Sequence, residues 1–376
     1  MNRKKVLFLI ESLSCGGAEK VLATLLRHID ETRFDVTLCC VSNGGKYLGE
    51  IPRTIHYCHF LPKKESIWYK LKYLAIYKLM PPLLVYQLFV PKGNDIEIAF
   101  VEGIATKILS ASTNKHAVKI AWIHTDLKNN PWTQKERIFH SVREETACYR
   151  SFNQIVCVSD TAAEAFKCIH GTPAAVSVLY NPVDTEAILA MAAAESSVGW
   201  ESSGDTIRLV SAGRLVLQKG YDRLLRICGK LKREGYDFDL VILGEGEARG
   251  ELEKIVSQQC LGDCVRMPGF LSNPYPIVAS ANLFVCPSRS EGYSTAVTEA
   301  LILGVPVLVT DCSGMRELIG ESGSGIITEN DEGAMYTSLK ALMDNRQLLT
   351  EMKEKAGSRG RDFSLKSSME AIEGLF

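Results

Sequence analysis

No uninterrupted apolar run in this 376-residue chain approaches 18 residues, which excludes a membrane-spanning helix on hydropathy. There is no Cys-x-x-Cys pair. The twelve cysteines are scattered through apolar stretches such as Asp35–Val41, and Cys260 and Cys264 lack His or Cys neighbours at metal-site spacing. That removes zinc sites and disulfide frameworks, and predicts buried reduced thiols and a cytosolic setting. Charge of one sign is also missing: 43 Lys+Arg against 44 Asp+Glu leave a net −1, unlike a dedicated nucleic-acid binder. No disordered tract and no collagen-like period is expected, and 46% hydrophobic with 8% aromatic residues are values of packed globular chains. After Arg3-Lys4-Lys5 only five apolar residues precede Glu11, with no small-residue cleavage site, so a first buried strand is expected rather than a signal peptide.

What is present is a rhythm. Short apolar runs at Val6–Ile10, Val36–Val41, Ile96–Val101, Val118–Ile123 and Ile155–Val158 alternate with helix-period segments. The series restarts at Ile207–Ala212, Leu240–Leu243, Leu283–Cys286 and Val305–Val309. Runs without polar alternation predict strands covered on both faces, hence parallel sheets of βαβ units. The length suits two α/β domains, each doubly wound and Rossmann-like, facing across a cleft. Their expected bounds are 1–183, a hinge at 184–205, 206–360, and a terminal helix at 361–376 returning to the first domain. The average charge hides an asymmetry: residues 1–185 hold 23 Lys+Arg against 17 Asp+Glu, and the rest 20 against 27. A basic first half suggests an anionic partner, with ordinary surface variation as the competing explanation.

Three motifs carry chemistry. Ser14-Cys15-Gly16-Gly17-Ala18-Glu19 follows the first strand and opens a helix, so that Gly16 and Gly17 permit close approach to unpaired helix-terminal amides; a turn-forming Gly-Gly would serve structure alone. It is not Gly-x-Gly-x-x-Gly, which weakens a nicotinamide assignment. Gly213-Arg214-Leu215-Val216-Leu217-Gln218-Lys219-Gly220 places a planar two-point phosphate clamp and a mobile point charge where a strand gives way to a helix. Two solvated loop cations are the bland alternative. In Ser290-Glu291-Gly292-Tyr293-Ser294-Thr295-Ala296-Val297-Thr298-Glu299, Ser294 or Thr295 caps a helix whose first amides can cradle phosphate. Glu291 then lies at the loop mouth and Glu299 about one turn into the helix, unless the pair is simple capping.

With Arg214-x4-Lys219 and Glu291-x7-Glu299 spaced in this way, the chain resembles the retaining glycosyltransferases of family 4, which have the two-domain GT-B architecture. Gly244-Glu245-Gly246, Gly269-Phe270-Leu271 and Asn181-Pro182-Val183-Asp184 extend the likeness over nearly the whole chain. The resemblance implies that Arg214 and Lys219 neutralise a donor diphosphate, that Glu299 holds ribose hydroxyls and that Glu291 holds hydroxyls of the donor sugar. It further implies that backbone near Phe270 and Leu271 meets the base, that Gly213, Gly244, Gly292, Tyr293, Ser294, Thr295 and Ala296 surround the donor, and that Gly16 and Gly17 close on it. His124, in Trp122-Ile123-His124-Thr125-Asp126, matches the family's histidine beside the sugar; a hydrogen-bonded core histidine is the other possibility. The family's usual Gly-Phe-Gly is Gly292-Tyr293-Ser294 here, and Asn181-Pro182 replaces Asn-Gly, so the donor sugar stays open. UDP-sugars are the expected donors, with no cofactor and no metal; no Asp-x-Asp metal motif of the single-domain transferases is expected in the chain, so that cations and helix dipoles stabilise the leaving group instead. A glycan or lipid-linked acceptor in surface-polysaccharide assembly is the expected setting. A sugar-nucleotide epimerase, an α-glucan phosphorylase (for which the chain is short) and a non-catalytic nucleotide-sugar binder are the alternatives.

Residues 63–92 are the most individual segment. Lys63, Lys64, Lys70, Lys72, Lys78 and Lys92 face Glu65 alone and interleave with Trp68, Tyr69, Tyr73, Tyr77, Tyr86 and Phe89, with Pro81-Pro82 dividing two helical pieces. Basic, aromatic, amphipathic helices suit an anionic membrane surface, where each cation adds about 1 kcal/mol. That predicts peripheral contact at the inner face of the cell membrane. The competing explanation makes the apolar face domain core and the lysines solvated.

Overall fold

The computed structural model describes residues 3–14, 16–62, 67–196, 198–200 and 206–376. The chain divides into two compact units, Met1–Pro182 with Lys366–Phe376, and Val183–Leu365.

The first unit holds β1 (Lys4–Ile10), β2 (Phe34–Ser42), β3 (His56–Leu61), β4 (Ile96–Ala99), β5 (Val118–Ile123), β6 (Gln154–Cys157) and β7 (Ala175–Val178). They form one sheet in the order β3-β2-β1-β4-β5-β6-β7, every neighbouring pair parallel. Val6, Leu7, Phe8 and Leu9 of β1 are wholly buried, as expected of a central strand with helices on both faces. The chain reverses direction across the sheet at β1, whose neighbours are β2 on one side and β4 on the other. At such switch points loops separate and ligands bind beyond the carboxyl ends of the strands.

The second unit holds β8 (Ile207–Ala212), β9 (Phe238–Leu243), β10 (Val265–Gly269), β11 (Leu283–Cys286), β12 (Val307–Thr310) and β13 (Gly325–Thr328). Their order is β10-β9-β8-β11-β12-β13, again all parallel. This repeats the first unit's pattern, with the switch point between β8 and β11.

Two boundaries differ from the sequence-based expectation. The stretch expected as hinge opens with a helix, Thr185–Ala192, capped by Asp184, whose carboxylate accepts the Ala187 amide at 3.0 Å. Ile188 of this helix packs with Tyr275 and Ile302, and the Thr185 hydroxyl donates to the Phe363 carbonyl at 3.2 Å, which makes it part of the second unit. Ser197 and residues 201–205 of that stretch lie outside the described residues. The terminal segment expected from 361 joins the first unit from Lys366. There Phe376 meets Phe8 and Phe34 edge-on at 6.0 and 5.5 Å, and Glu373 accepts from the Asp30 amide and Arg33 at 2.9 and 2.8 Å.

Candidate functional site

Every residue expected to bind donor in the second unit lies at the carboxyl edge of its sheet. Gly213, Arg214 and Lys219 follow β8, Gly244 follows β9, Phe270 and Leu271 follow β10, and Glu291 to Ala296 follow β11. Two glycines let these loops touch. A Cβ on Gly244 (φ 137°) would stand 1.9 Å from the Gly213 carbonyl oxygen, and one on Gly220 (φ 70°) 1.9 Å from that of Pro287. The β8 and β11 loops are also cross-braced: Gln218 donates to the Ser290 carbonyl at 2.8 Å and the Arg289 amide to the Gln218 carbonyl at 2.7 Å.

Within that brace, Lys219 Nζ lies 2.6 Å from Glu291 Oε1, which also accepts the Ser288 hydroxyl at 2.5 Å. Burial works against the lysine's charge, but the adjacent carboxylate outweighs it and the Lys219 pKa is raised. Arg214 is exposed, makes no side-chain hydrogen bond or ion pair among the described residues, and sits near enough that its charge opposes that of Lys219. One cation is thus held by protein, and the other is available to an anion. Ser294 caps the helix Thr295–Ile302 through the Val297 amide at 3.4 Å, so the remaining first-turn amides face the same loop. Glu299 is half-buried one turn into this helix.

In the first unit, Gly16 caps the helix Gly17–His28 directly beyond β1; Cys15 of that motif lies outside the described residues. His124 ends β5. Its amide donates to Glu102 Oε2 at 2.9 Å, while the Trp132 indole donates to Glu102 Oε1 at 3.1 Å. The imidazole lies 4.9 Å from the Phe100 ring and is stacked on Trp122 at 6.3 Å. Burial pushes its pKa down to about 4, against the opposing charge of Glu102, so the ring is neutral near pH 7. Nε2 is buried with no hydrogen-bond partner among the described residues. The other ring nitrogen meets the Phe100 backbone. A proton there leaves Nε2 as an acceptor, a pattern that His170 shares, its Nε2 being buried without a partner among the described residues as well.

Sequence reasoning missed Glu102 and Ser288. An acid just beyond the Ile96–Val101 run was a usable signal for Glu102; nothing marked Ser288. One expectation is corrected: an Asp-x-Asp triplet does occur, as Asp237-Phe238-Asp239. It lies at the amino end of β9, opposite the site loops, where Asp239 is buried and takes two hydrogen bonds from Arg266 at 3.0 and 3.1 Å. Asp237 accepts the Thr206 hydroxyl at 2.6 Å. Among the described residues no group of three His, Cys, Asp or Glu could hold a metal ion.

Residues 194–360 match the family described as Glycosyl transferases group 1, and residues 15–187 match Glycosyltransferase Family 4. An N-acetylgalactosamine-N,N'-diacetylbacillosaminyl-diphospho-undecaprenol 4-alpha-N-acetylgalactosaminyltransferase of Campylobacter jejuni is 30% identical over 99% of both chains. Among solved structures, Anabaena HepE in complex with UDP-glucose superposes with a TM-score of 0.76 at 17% identity, covering 99% of this chain and 98% of that one. Sucrose-phosphate synthase of Thermosynechococcus elongatus does so with a TM-score of 0.77 at 13% identity, over the same shares. At these identities the two structures speak for the fold alone.

Proposed function

Since the chain belongs to glycosyltransferase family 4 and carries the GT-B fold, we propose that it transfers a hexose from a UDP-sugar to a hydroxyl of a lipid-linked glycan in surface-polysaccharide assembly, with retention at the anomeric carbon and without a metal. The Campylobacter relative, named for a diphospho-undecaprenol acceptor, supports the acceptor class. The observation that carries the reading is the Arg214, Lys219 and Glu291 group beside a helix N-terminus at the β8–β11 switch point.

In this mechanism the bond from the anomeric carbon to the diphosphate breaks and its electrons go to the leaving oxygen. Arg214 and the amides at Thr295 and Ala296 meet that charge, and Lys219, held in place by Glu291, adds its own beside them. The acceptor hydroxyl attacks from the face the diphosphate leaves, and its proton passes to the departing phosphate oxygen. Glu291 is bound through one oxygen by Lys219 and Ser288, which makes it a poor nucleophile. Its role is to accept from sugar hydroxyls through Oε2. Glu299 accepts from the ribose, Phe270 and Leu271 border the base, and His124 stands beside the sugar. Gly16 and Gly17 let backbone approach the reacting face.

The test is release of nucleotide diphosphate from a panel of sugar nucleotides with a lipid-linked acceptor, and the product's anomeric configuration by NMR. Arg214→Ala should lower turnover on the order of 10²-fold or more. Wild-type turnover in that variant would remove the phosphate assignment, and an inverted product would remove retention.

A further inference from the structure

Residues 67–92 contain no acid and four lysines. They fold as a helix Ile67–Leu74 that runs on through a π-helical turn Ala75–Leu79, followed by a second helix Pro82–Phe89. Lys63, Lys64 and Glu65 of the basic segment lie outside the described residues. The inner side is settled. Ile76, Val85 and Tyr86 are buried in the first unit's core, and Tyr69, Tyr73, Tyr77, Met80 and Phe89 pack against it. The outer side is also apolar: Trp68 is 63% exposed, Leu71 63%, Leu79 72% and Leu88 62%, with Leu74, Leu83 and Leu84 exposed beside them.

A surface helix on a water-soluble face turns its leucines inward and its charges outward. Here tyrosines, with Ile76, Val85, Met80 and Phe89, fill the inner side and the leucines face out, so the unit's own packing does not account for them. At about 100° per residue, Trp68, Leu71 and Leu74 share one arc of the first helix, and exposed Lys70 and Lys72 border that arc on either side. An apolar strip edged by lysines matches the interface of a bilayer bearing anionic headgroups. A second copy of this chain fits poorly, because a two-fold contact sets the same patch against itself and brings lysines onto lysines.

The strip is tied to the site. Tyr77 donates its hydroxyl to Glu11 Oε1 at 2.8 Å, just beyond the end of β1, and Tyr69 shares a hydrogen bond of 3.3 Å with Ser42, the last residue of β2. Tyr73 stacks on Tyr77 with ring centres 4.1 Å apart. These contacts fix the first helix and its π-helical turn over the carboxyl ends of β1 and β2, the edge that carries Gly16 and Gly17. The second helix is held by Tyr86, whose hydroxyl donates to Glu97 of β4 at 2.8 Å. We propose that the outward face of residues 67–88 docks this unit on an anionic lipid surface and so presents a bilayer-held acceptor to the carboxyl edge of β1.

The presentation rests on the transferase reading; the docking does not, and its test contains no sugar nucleotide. The full chain is floated with phosphatidylcholine vesicles and with vesicles in which about one third of the lipid is phosphatidylglycerol. Two variants on exposed positions are compared, Leu71→Glu with Leu88→Glu, and Lys70→Glu with Lys72→Glu, each checked for unchanged thermal unfolding and UDP binding. Wild type should prefer the anionic vesicles on the order of tenfold or more, salt should weaken that preference, and either variant should abolish it. Equal binding to both vesicles, no binding, or variants that bind like wild type would overturn the proposal. A concentration-dependent dimer lost in Leu71→Glu with Leu88→Glu would assign the face to a second copy instead. Vesicle binding without any UDP binding by wild type would leave the docking intact and sink the UDP-donor reading alone.

Discussion

Lys219 and Glu291 pair at 2.6 Å with their side chains largely out of solvent, so each has a structural and a chemical part that mutation can separate. Removing one partner leaves the other buried and uncompensated, which costs about 3 kcal/mol or more, whereas replacing both with apolar residues is close to neutral. Lys219→Ala should therefore lose both stability and turnover, the latter on the order of 10²-fold or more. Lys219→Met with Glu291→Leu should recover the denaturant midpoint while turnover stays lost. Recovery of turnover in the double variant would show that the pair only holds the loops together. The buried histidines set a pH response. His124 and His170 are both pushed down to about 4 by burial, from 6.5. Above pH 6.5 both states are neutral and stability is indifferent to them. As pH falls from about 6.5 to about 4 the unfolded chain binds protons that the folded one refuses, so stability drops across that window. His124→Gln should remove about half of these two groups' share of the slope in urea unfolding, and an unchanged slope would place His124 in water.

At the scale of elements, the legible strands were the interior ones. The runs at Val6–Ile10, Val118–Ile123, Ile207–Ala212 and Leu283–Cys286 became β1, β5, β8 and β11, because burial on both faces leaves no room for polar alternation. The four strands without such a run, β3, β7, β10 and β13, are the outermost strands of the two sheets. Solvent on one side admits His56, His59 and Arg266, and β7 carries no fully buried residue, so the apolar signal is diluted. The same limit governs the site. Arg214, Lys219, Glu291 and Glu299 were singled out because Arg214-x4-Lys219 and Glu291-x7-Glu299 together carry the family resemblance; either motif alone also fits solvated loop cations or simple capping. Glu102 and Ser288 act through contacts that only the folded chain creates. In residues 63–92 composition gave the amphipathic character, but which apolar residues turn inward depended on tyrosines reaching Glu11 and Ser42. Loop contact at the sheet edge is open to a direct test. Gly244→Ala forces a Cβ to 1.9 Å from the Gly213 carbonyl oxygen at a φ of 137°. It should cost more than about 1 kcal/mol and weaken UDP binding by displacing the Arg214 loop; full UDP affinity at wild-type stability would show that the loops part freely.

On the scale of the whole chain, the first unit is discontinuous in sequence, since Lys366–Phe376 returns to it after the entire second unit. The return is anchored at three points: Phe376 against Phe8 and Phe34, Glu373 on Arg33 and the Asp30 amide, and Lys4, which donates to the Phe376 carbonyl at 2.5 Å. Phe8 belongs to β1, the strand on which the first unit's switch point depends, so the last residues of the described chain support the same strand that carries Gly16 and Gly17. Phe376→Ala removes a nearly buried ring from two edge-on contacts and should cost roughly 3 kcal/mol. Because the loss falls in one unit, hydrogen exchange should report it locally: amides of β1 and β2 should exchange faster, and those of β8, β9 and β11 should keep their protection. Equal deprotection of both sheets would mean that the units unfold as one, and unchanged protection of β1 would mean that the returning helix is an ornament rather than a support.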